Sequence, residues 1–383
     1  MSLSEQQRAA RSAADAAATA PTGAARDGAP AEATTYYQRP MVKRATWKWY
    51  IPLYFFLGGV AGGAAAIGAA ADLFGGRRHR ATVRYARYLS VALAPVCALL
   101  LILDLGRPER FHHMFRVFKG ASPLSVGTWI LGAFGLTSGV LAARQLAEDE
   151  IVIRRESMPG RLARLLPARP FAAAHGLLGL ALGSYTGVLL AVTAIPLWAG
   201  TGLLLGPIFL TAAFTSGAAA LSLIGLLTGD HTREERRTIE TLANVGTVAQ
   251  AALAVAREAI VDDRVNAPLR RGVWARVFQF GTVGVGWLLP STLRLAARAS
   301  SPRVERRLSL LAAVCALAGV VGERFAIVEA GKRSADDPLA YQALTRGDPG
   351  EARPTPGQQA WWHRQRTGAA VAPFQPHQVV PES

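Results

Sequence analysis

The apolar residues of this chain are gathered into long blocks, and that grouping decides what it can fold into. Each block is roughly 20 residues long, the length a helix needs to cross about 30 Å of hydrocarbon. The spans read from Ile51 to Leu73, Tyr85 to Leu105, Pro123 to Arg144, Phe171 to Thr193, Leu203 to Leu227, Thr238 to Ile260, Val273 to Leu295 and Leu308 to Val328. In lipid every backbone polar group must be satisfied internally, so only helices or closed barrels can cross. These blocks are too long and too uniformly apolar for barrel strands. The expected fold is therefore all-α: a polytopic membrane protein of about eight transmembrane helices. The even count allows two four-helix bundles. A soluble enzyme is excluded.

The formal charge of +16 raises the question of nucleic acid. Here the Arg and Lys residues sit between apolar blocks, as membrane proteins place them, so no nucleic-acid partner is expected. The two cysteines, Cys97 and Cys315, each lie inside a block, and no CxxC pair exists. Neither an iron–sulfur cluster nor a zinc site is expected from this chain alone. Residues 1–45 are rich in Ala, Gly and charge and lack the apolar core of a signal peptide, so they read as a disordered arm. Residues 46–335 form the transmembrane domain. Residues 336–383 read as a polar, Pro-rich tail, whose Trp361 and Trp362 suit it to drape over a partner or the membrane surface.

Orientation follows from the basic residues. Arg77, Arg78, Arg80, Arg84 and Arg87 follow the first span, and Arg154, Arg155, Arg161, Arg164 and Arg169 the third. Arg233, Arg236 and Arg237 follow the fifth, and Arg298, Arg303, Arg306 and Arg307 the seventh. The segment from Ala194 to Gly202, on the other face, has no charge. The positive-inside rule places the arginine-rich loops in the cytoplasm and both termini outside. Arg107, Arg110, Arg116 and Lys119 argue the other way. The first span also carries Gly59 and Gly63 at GxxxG spacing, which lets helix backbones approach closely. Gly63-Ala64-Ala65-Ala66 is echoed by Gly217-Ala218-Ala219-Ala220 in the fifth span.

Four stretches depart from generic membrane sequence. The first is Trp47-Lys48-Trp49-Tyr50-Ile51-Pro52-Leu53-Tyr54. The second is Leu103-Asp104-Leu105-Gly106-Arg107-Pro108, continued by Ser122-Pro123-Leu124-Ser125-Val126-Gly127. The third is Ser184-Tyr185-Thr186-Gly187, and the fourth is Glu323-Arg324-Phe325 running to Glu329-Ala330-Gly331. Together they resemble the NrfD/polysulfide-reductase membrane-subunit family over about residues 46 to 335. The resemblance implies a haem-free, quinone-handling anchor of a respiratory complex in the bacterial cytoplasmic (inner) membrane. It implies two partners: an iron–sulfur subunit of the four-cluster ferredoxin-like kind on the outer face, and a molybdopterin catalytic subunit beyond it. Menaquinone or another quinone would be the exchangeable cofactor. The complex would be formate dehydrogenase-like or polysulfide reductase-like, and this chain would not be catalytic for the primary substrate.

The residues can be tested without the family. Of the seven histidines only His175 falls inside a span, so a bis-His haem lacks ligands. An electron role would then need an organic carrier or a partner's cluster. A quinone fits, since its head needs only a few polar groups. With the termini outside, Tyr54, Asp104, Arg107 and Tyr185 come to the outer half and are the expected quinone-binding set, with Asp104 as proton acceptor beside Arg107. The resemblance supports Tyr185, whereas Tyr54 stands near where some relatives place a His. His175, Asp72, Glu258 and Glu323 are the candidates for a proton path. Arg110, His112, His113 and Arg116 are the candidates for partner docking, in a short loop rich in Arg and aromatics. Plainer roles stand beside these. Asp104 and Arg107 could cap a helix, the loop residues could be solvated, the aromatics could form an interface belt, and Glu323 with Arg324 could be a self-neutralised pair. The alternative function is a secondary transporter or a proton-translocating module without a redox role of its own. Purified protein is expected to show no Soret band stoichiometric with this chain, which absorption spectroscopy would check.

Overall fold

The computed structural model describes residues 40–345 except Val152 and Arg155. The expected arm before residue 40, and the tail beyond residue 345 with Trp361 and Trp362, lie outside the described residues. Within them the chain is helical. The long helices are α1 (Tyr50–Phe74), α2 (Arg80–Asp104) and α3 (Pro123–Asp149). A short α4 (Met158–Leu165) precedes α5 (Ala168–Ala191). A short α6 (Pro196–Thr201) then leads into α7 (Leu205–Thr228), followed by α8 (Arg233–Ile260) and the short α9 (Asp263–Arg270). The next rod, α10, covers residues 273–298. It begins as Val273–Arg276, winds as a π-helix over Val277–Leu288, and ends as Leu289–Arg298. The chain closes with α11 (Pro302–Ala335) and α12 (Pro338–Thr345).

Seven helices among the described residues are long and apolar enough to cross a membrane, counting α6 and α7 as one. An eighth rod, α10, has 26 continuous helical residues, long enough to cross, but they are divided by the π stretch. A uniform span was expected there. The run Gly281, Gly284, Gly286 and Pro290 accounts for the difference. Pro290 has no N–H to offer, and the glycines let the backbone rewind.

Two groups of four helices result: α1, α2, α3 and α5, then α7, α8, α10 and α11. They meet where α1 and α5 pack on α7, and α1 on α11. Small residues make the joint. A Cβ built on Gly63 would stand 1.9 Å from the Ala213 carbonyl oxygen of α7, and one on Gly217 would stand 2.4 Å from the Ala64 nitrogen. The two glycines that open the Gly-Ala-Ala-Ala echo therefore face each other across the group boundary. One residue earlier, a Cβ on Gly62 would stand 2.5 Å from the Gly179 oxygen of α5. The α1 backbone thus lies against two partners at once, closer than any side chain allows.

Charged pairs pin the arginine-rich end. The buried Glu305 of α11 accepts from Arg233 and Arg236 of α8, each at 2.6 Å. Glu235 of α8 accepts from the Thr82 backbone nitrogen of α2 at 2.8 Å and from its hydroxyl at 2.5 Å. Arg87 of α2 donates to Asp72 of α1 at 2.7 Å and to Gln145 of α3 at 2.9 Å. Arg84 pairs with Asp149 at 2.9 Å. Arg84 and Arg87 belong to α2 rather than to a loop, and Arg233, Arg236 and Arg237 belong to α8. The true loops are shorter than the sequence reading had them, because polar helix ends extend past the apolar block. Both described ends of the chain meet at the opposite face. Lys332 donates to the Trp47 carbonyl at 2.5 Å, Arg44 pairs with Asp336 at 3.4 Å, and Trp47 stacks on Trp198 at 5.4 Å. The tail does not leave at once: α12 packs on α6, α9 and α11, with Ala340 buried.

Gly63→Val should remove the joint between the groups. A well-packed core loses about 1–3 kcal/mol to an inserted side chain, and here the obstacle is backbone. The variant is expected to lose its folded peak in fluorescence-detected size exclusion. Gly139→Ala, which faces open space, should keep the wild-type melting temperature.

Candidate functional site

The expected quinone residues are set on the face where the two described ends of the chain meet, where α1 starts, α2 ends and α5 ends. Pro52 lies in the first turn of α1, where its missing N–H costs nothing. Tyr50 and Tyr54 are one turn apart on that helix, so the first is half-buried at the rim and the second is fully enclosed one layer below. Asp104 is the last residue of α2. Its polar neighbours are the Tyr50 phenol and the ammonium groups of Lys48 and Lys332. Arg107, expected to be its partner, is instead exposed, because the chain turns extended at Leu105 and carries Arg107 away. Tyr50 was the residue missed. It sits inside the quoted Trp-Lys-Trp-Tyr stretch, but only the return of α2 to the start of α1 brings it to Asp104.

Tyr185 comes up from α5 into the gap left by Gly127 of α3, and its hydroxyl donates to the Pro123 carbonyl. A backbone carbonyl has two lone pairs, so Pro123 at the start of α3 can take the phenol beside its helical partner. Tyr54 lies in the same buried core cluster as Cys97. Tyr54, Tyr185 and Asp104 therefore share one end of the first helix group, while Tyr50 and the half-buried Asp104 mark its rim. Leu103 and Leu124, next in sequence to Asp104 and Pro123, are exposed.

Between α2 and α3 the chain forms a 3-10 helix, Pro108–Phe115, that rests against the ends of both helices with most of its residues exposed. Arg110, His112 and His113 are exposed on it, and Arg116 is exposed just past its end. The two imidazoles lie 4.4 Å apart, and Phe115 and Phe118 anchor the loop edge-on against Trp129 at 5.8 and 6.3 Å. The docking candidates thus form one patch, basic and aromatic, beside the Asp104 rim.

The four proton-path candidates do not form one path. His175 and Asp72 lie in the first group toward the arginine-rich end, around a small cavity also lined by Arg87. The imidazole stacks on Phe134 at 4.6 Å. Its Nδ1 lies 3.0 Å from the Thr137 hydroxyl, which itself donates to the Ala133 carbonyl at 3.0 Å. The other ring nitrogen, Nε2, is buried and has no hydrogen-bond partner among the described residues. Glu258 and Glu323 lie in the second group near the opposite end. Glu258 is an exposed hub that pairs with Arg257 at 2.9 Å and Arg270 at 2.8 Å and accepts from Asn266 at 2.7 Å. Glu323 is fully buried and accepts from the Gln250 amide at 2.8 Å. Its neighbour Arg324 turns away, donating to the Phe209 carbonyl at 3.1 Å and lying 3.7 Å over that ring. The two are successive residues of α11, so their side chains leave the helix in different directions.

No group of three or more His, Cys, Asp or Glu residues that could hold a metal ion occurs among the described residues. No curated protein matches the chain. The family model described as "Polysulphide reductase, NrfD" matches residues 38–334, from before α1 almost to the end of α11, and this multi-pass membrane protein belongs to that family.

Proposed function

We propose that this chain exchanges electrons between a membrane quinone and an iron–sulfur subunit docked on the face that carries its termini. The coarser role follows from the family: a membrane subunit of polysulfide reductase-like complexes, whose members generally partner with iron–sulfur and molybdopterin subunits. The observation that carries the finer reading is the rim site. Asp104 and the Tyr50 phenol lie together at one end of the first helix group, with Tyr54 and Tyr185 below and the exposed 108–115 helix beside them. A quinol releases two protons as its electrons leave, so its head needs an acceptor close to the electron exit. Asp104 is that acceptor. Lys48 and Lys332 are its cationic neighbours, and Tyr50 is the hydrogen-bonding partner for a carbonyl or hydroxyl of the head. An apolar tail lies against Leu103 and Leu124. Menaquinone is the proposed carrier, and the face with the termini is the outer one in a bacterial cytoplasmic membrane. Formate is the first choice for the partner's substrate and a sulfur compound the second.

Two experiments test this reading. In the purified complex, Asp104→Asn should slow quinone-linked turnover by at least about tenfold, roughly 1.4 kcal/mol of barrier, and leave transfer to a soluble artificial acceptor unchanged. A wild-type rate with quinone would reduce Asp104 to a helix end. Reversing charge at Arg110 and Arg116 should release the iron–sulfur partner at moderate salt while the membrane subunit still elutes as a folded peak. An intact complex would move the docking face elsewhere.

A further inference from the structure

The second helix group encloses a cavity bounded by α6, α7, α8, α9, α10 and α11. About 20 Å³ of it is open to water centres, room for about one water molecule. Most of the wall is apolar, but Gln250, Glu323, Arg257 and Thr201 reach it. Gln250 is fully buried and lends its Nε2 to Glu323, which leaves its Oε1 without a partner. Trp287 also lines the space, and its indole N–H is likewise unpaired. A buried acceptor and a buried donor facing nothing are costly, and a polar void is where proteins keep internal water.

The cavity joins two regions that are otherwise separate. At its inner end is the Glu323 carboxyl. At its outer end Arg257 donates to the Thr201 hydroxyl at 3.1 Å, to Asn266 at 2.5 Å and to Glu258 at 2.9 Å, and Glu258 is exposed. We infer that this cavity is a proton inlet: water in it bridges Gln250 to the Thr201–Arg257 end, and through it Glu323 exchanges a proton with the face that carries the termini. The step moves a proton and no electrons. A water-borne proton binds the Glu323 carboxylate and later leaves by the same water or onward along α8.

Gln250 suits both states. Its NH₂ donates to the carboxylate. With the amide turned over, its carbonyl accepts from the protonated acid, and the NH₂ then faces the water. The charged groups around Glu323 are Arg324 on its own helix and Arg257 on α8. The cavity linings from α6, α7, α9 and α10 bring no titratable group. Beyond Gln250 the same helix continues the polar line toward the arginine-rich end. Thr247 and Glu240 are buried, and Asn244 accepts from the buried Arg294 at 2.9 Å. This inference does not depend on the quinone reading, since none of these residues touches the Asp104 rim.

Infrared spectroscopy of the full chain in lipid nanodiscs tests it. The wild type should show a pH-dependent protonated-carboxyl band that shifts on transfer to D₂O and is absent from Glu323→Gln. Thr201→Ile, which narrows the outer end, should keep the band and slow its deuterium shift severalfold. A band unchanged in Glu323→Gln, or one insensitive to D₂O, would overturn the inference. So would exchange as fast in Thr201→Ile as in wild type, and that comparison alone decides the matter if Glu323→Gln does not fold.

Discussion

The structure hangs on the close approach of α1 to two neighbours through consecutive glycines. Lipid tails are as apolar as leucine, so helices in a membrane gain little by hiding apolar surface from each other. They associate where backbones can touch. Gly62 gives α1 that contact with α5, and Gly63 gives it with α7. One residue of helix is about 100° of rotation, so adjacent glycines open two different faces of one rod. Everything else is arranged around the result. Because α1 is fixed between α5 and α7, its first turn fixes where Tyr50 and Tyr54 stand relative to Asp104 and Tyr185.

Charge supplies the second level of order. Burying a lone charge is costly, and the buried charges here mostly have partners on other helices. Glu305 binds α8 to α11, Glu235 binds α8 to α2, and Arg87 binds α1, α2 and α3. Each such bond acts at a helix end, where the apolar packing is thinnest, and sets the register of one helix against the next. Two of the buried polar atoms left without a partner, His175 Nε2 and Gln250 Oε1, belong to residues that line cavities.

Helix number and type were legible because a span of about 20 apolar residues has one physical reading in lipid. The ends were not, since Arg84 and Arg233 look like loop residues, yet they lie in helices whose ends ion pairs to Asp149 and Glu305 tie down. The glycines of α1 were legible as a contact surface, but not which helices they touch, because GxxxG spacing does not name its partner. The likeness between Gly63 and Gly217 was visible as a faint echo and became a contact only when the groups were docked. At the rim, Asp104 stood out as a carboxylate at a span's end. Its neighbours could not be read: Arg107 is three residues on and looked close, whereas Tyr50, Lys48 and Lys332 are remote in sequence and are the ones beside it.

The π winding of α10 governs which of its residues can share a side. Phe278 and Trp287 are nine positions apart. On an ordinary helix, at about 100° per residue, they would point in opposite directions. A π-helix has roughly 4.4 residues per turn, and nine steps then bring the second ring almost back over the first. The two rings do meet edge to face at 6.2 Å, and both line the cavity next to Glu323. That wall is therefore a product of phase as much as of composition. Removing one residue between Gly281 and Gly286 would leave every lining side chain in the sequence, yet swing Trp287 out toward the lipid.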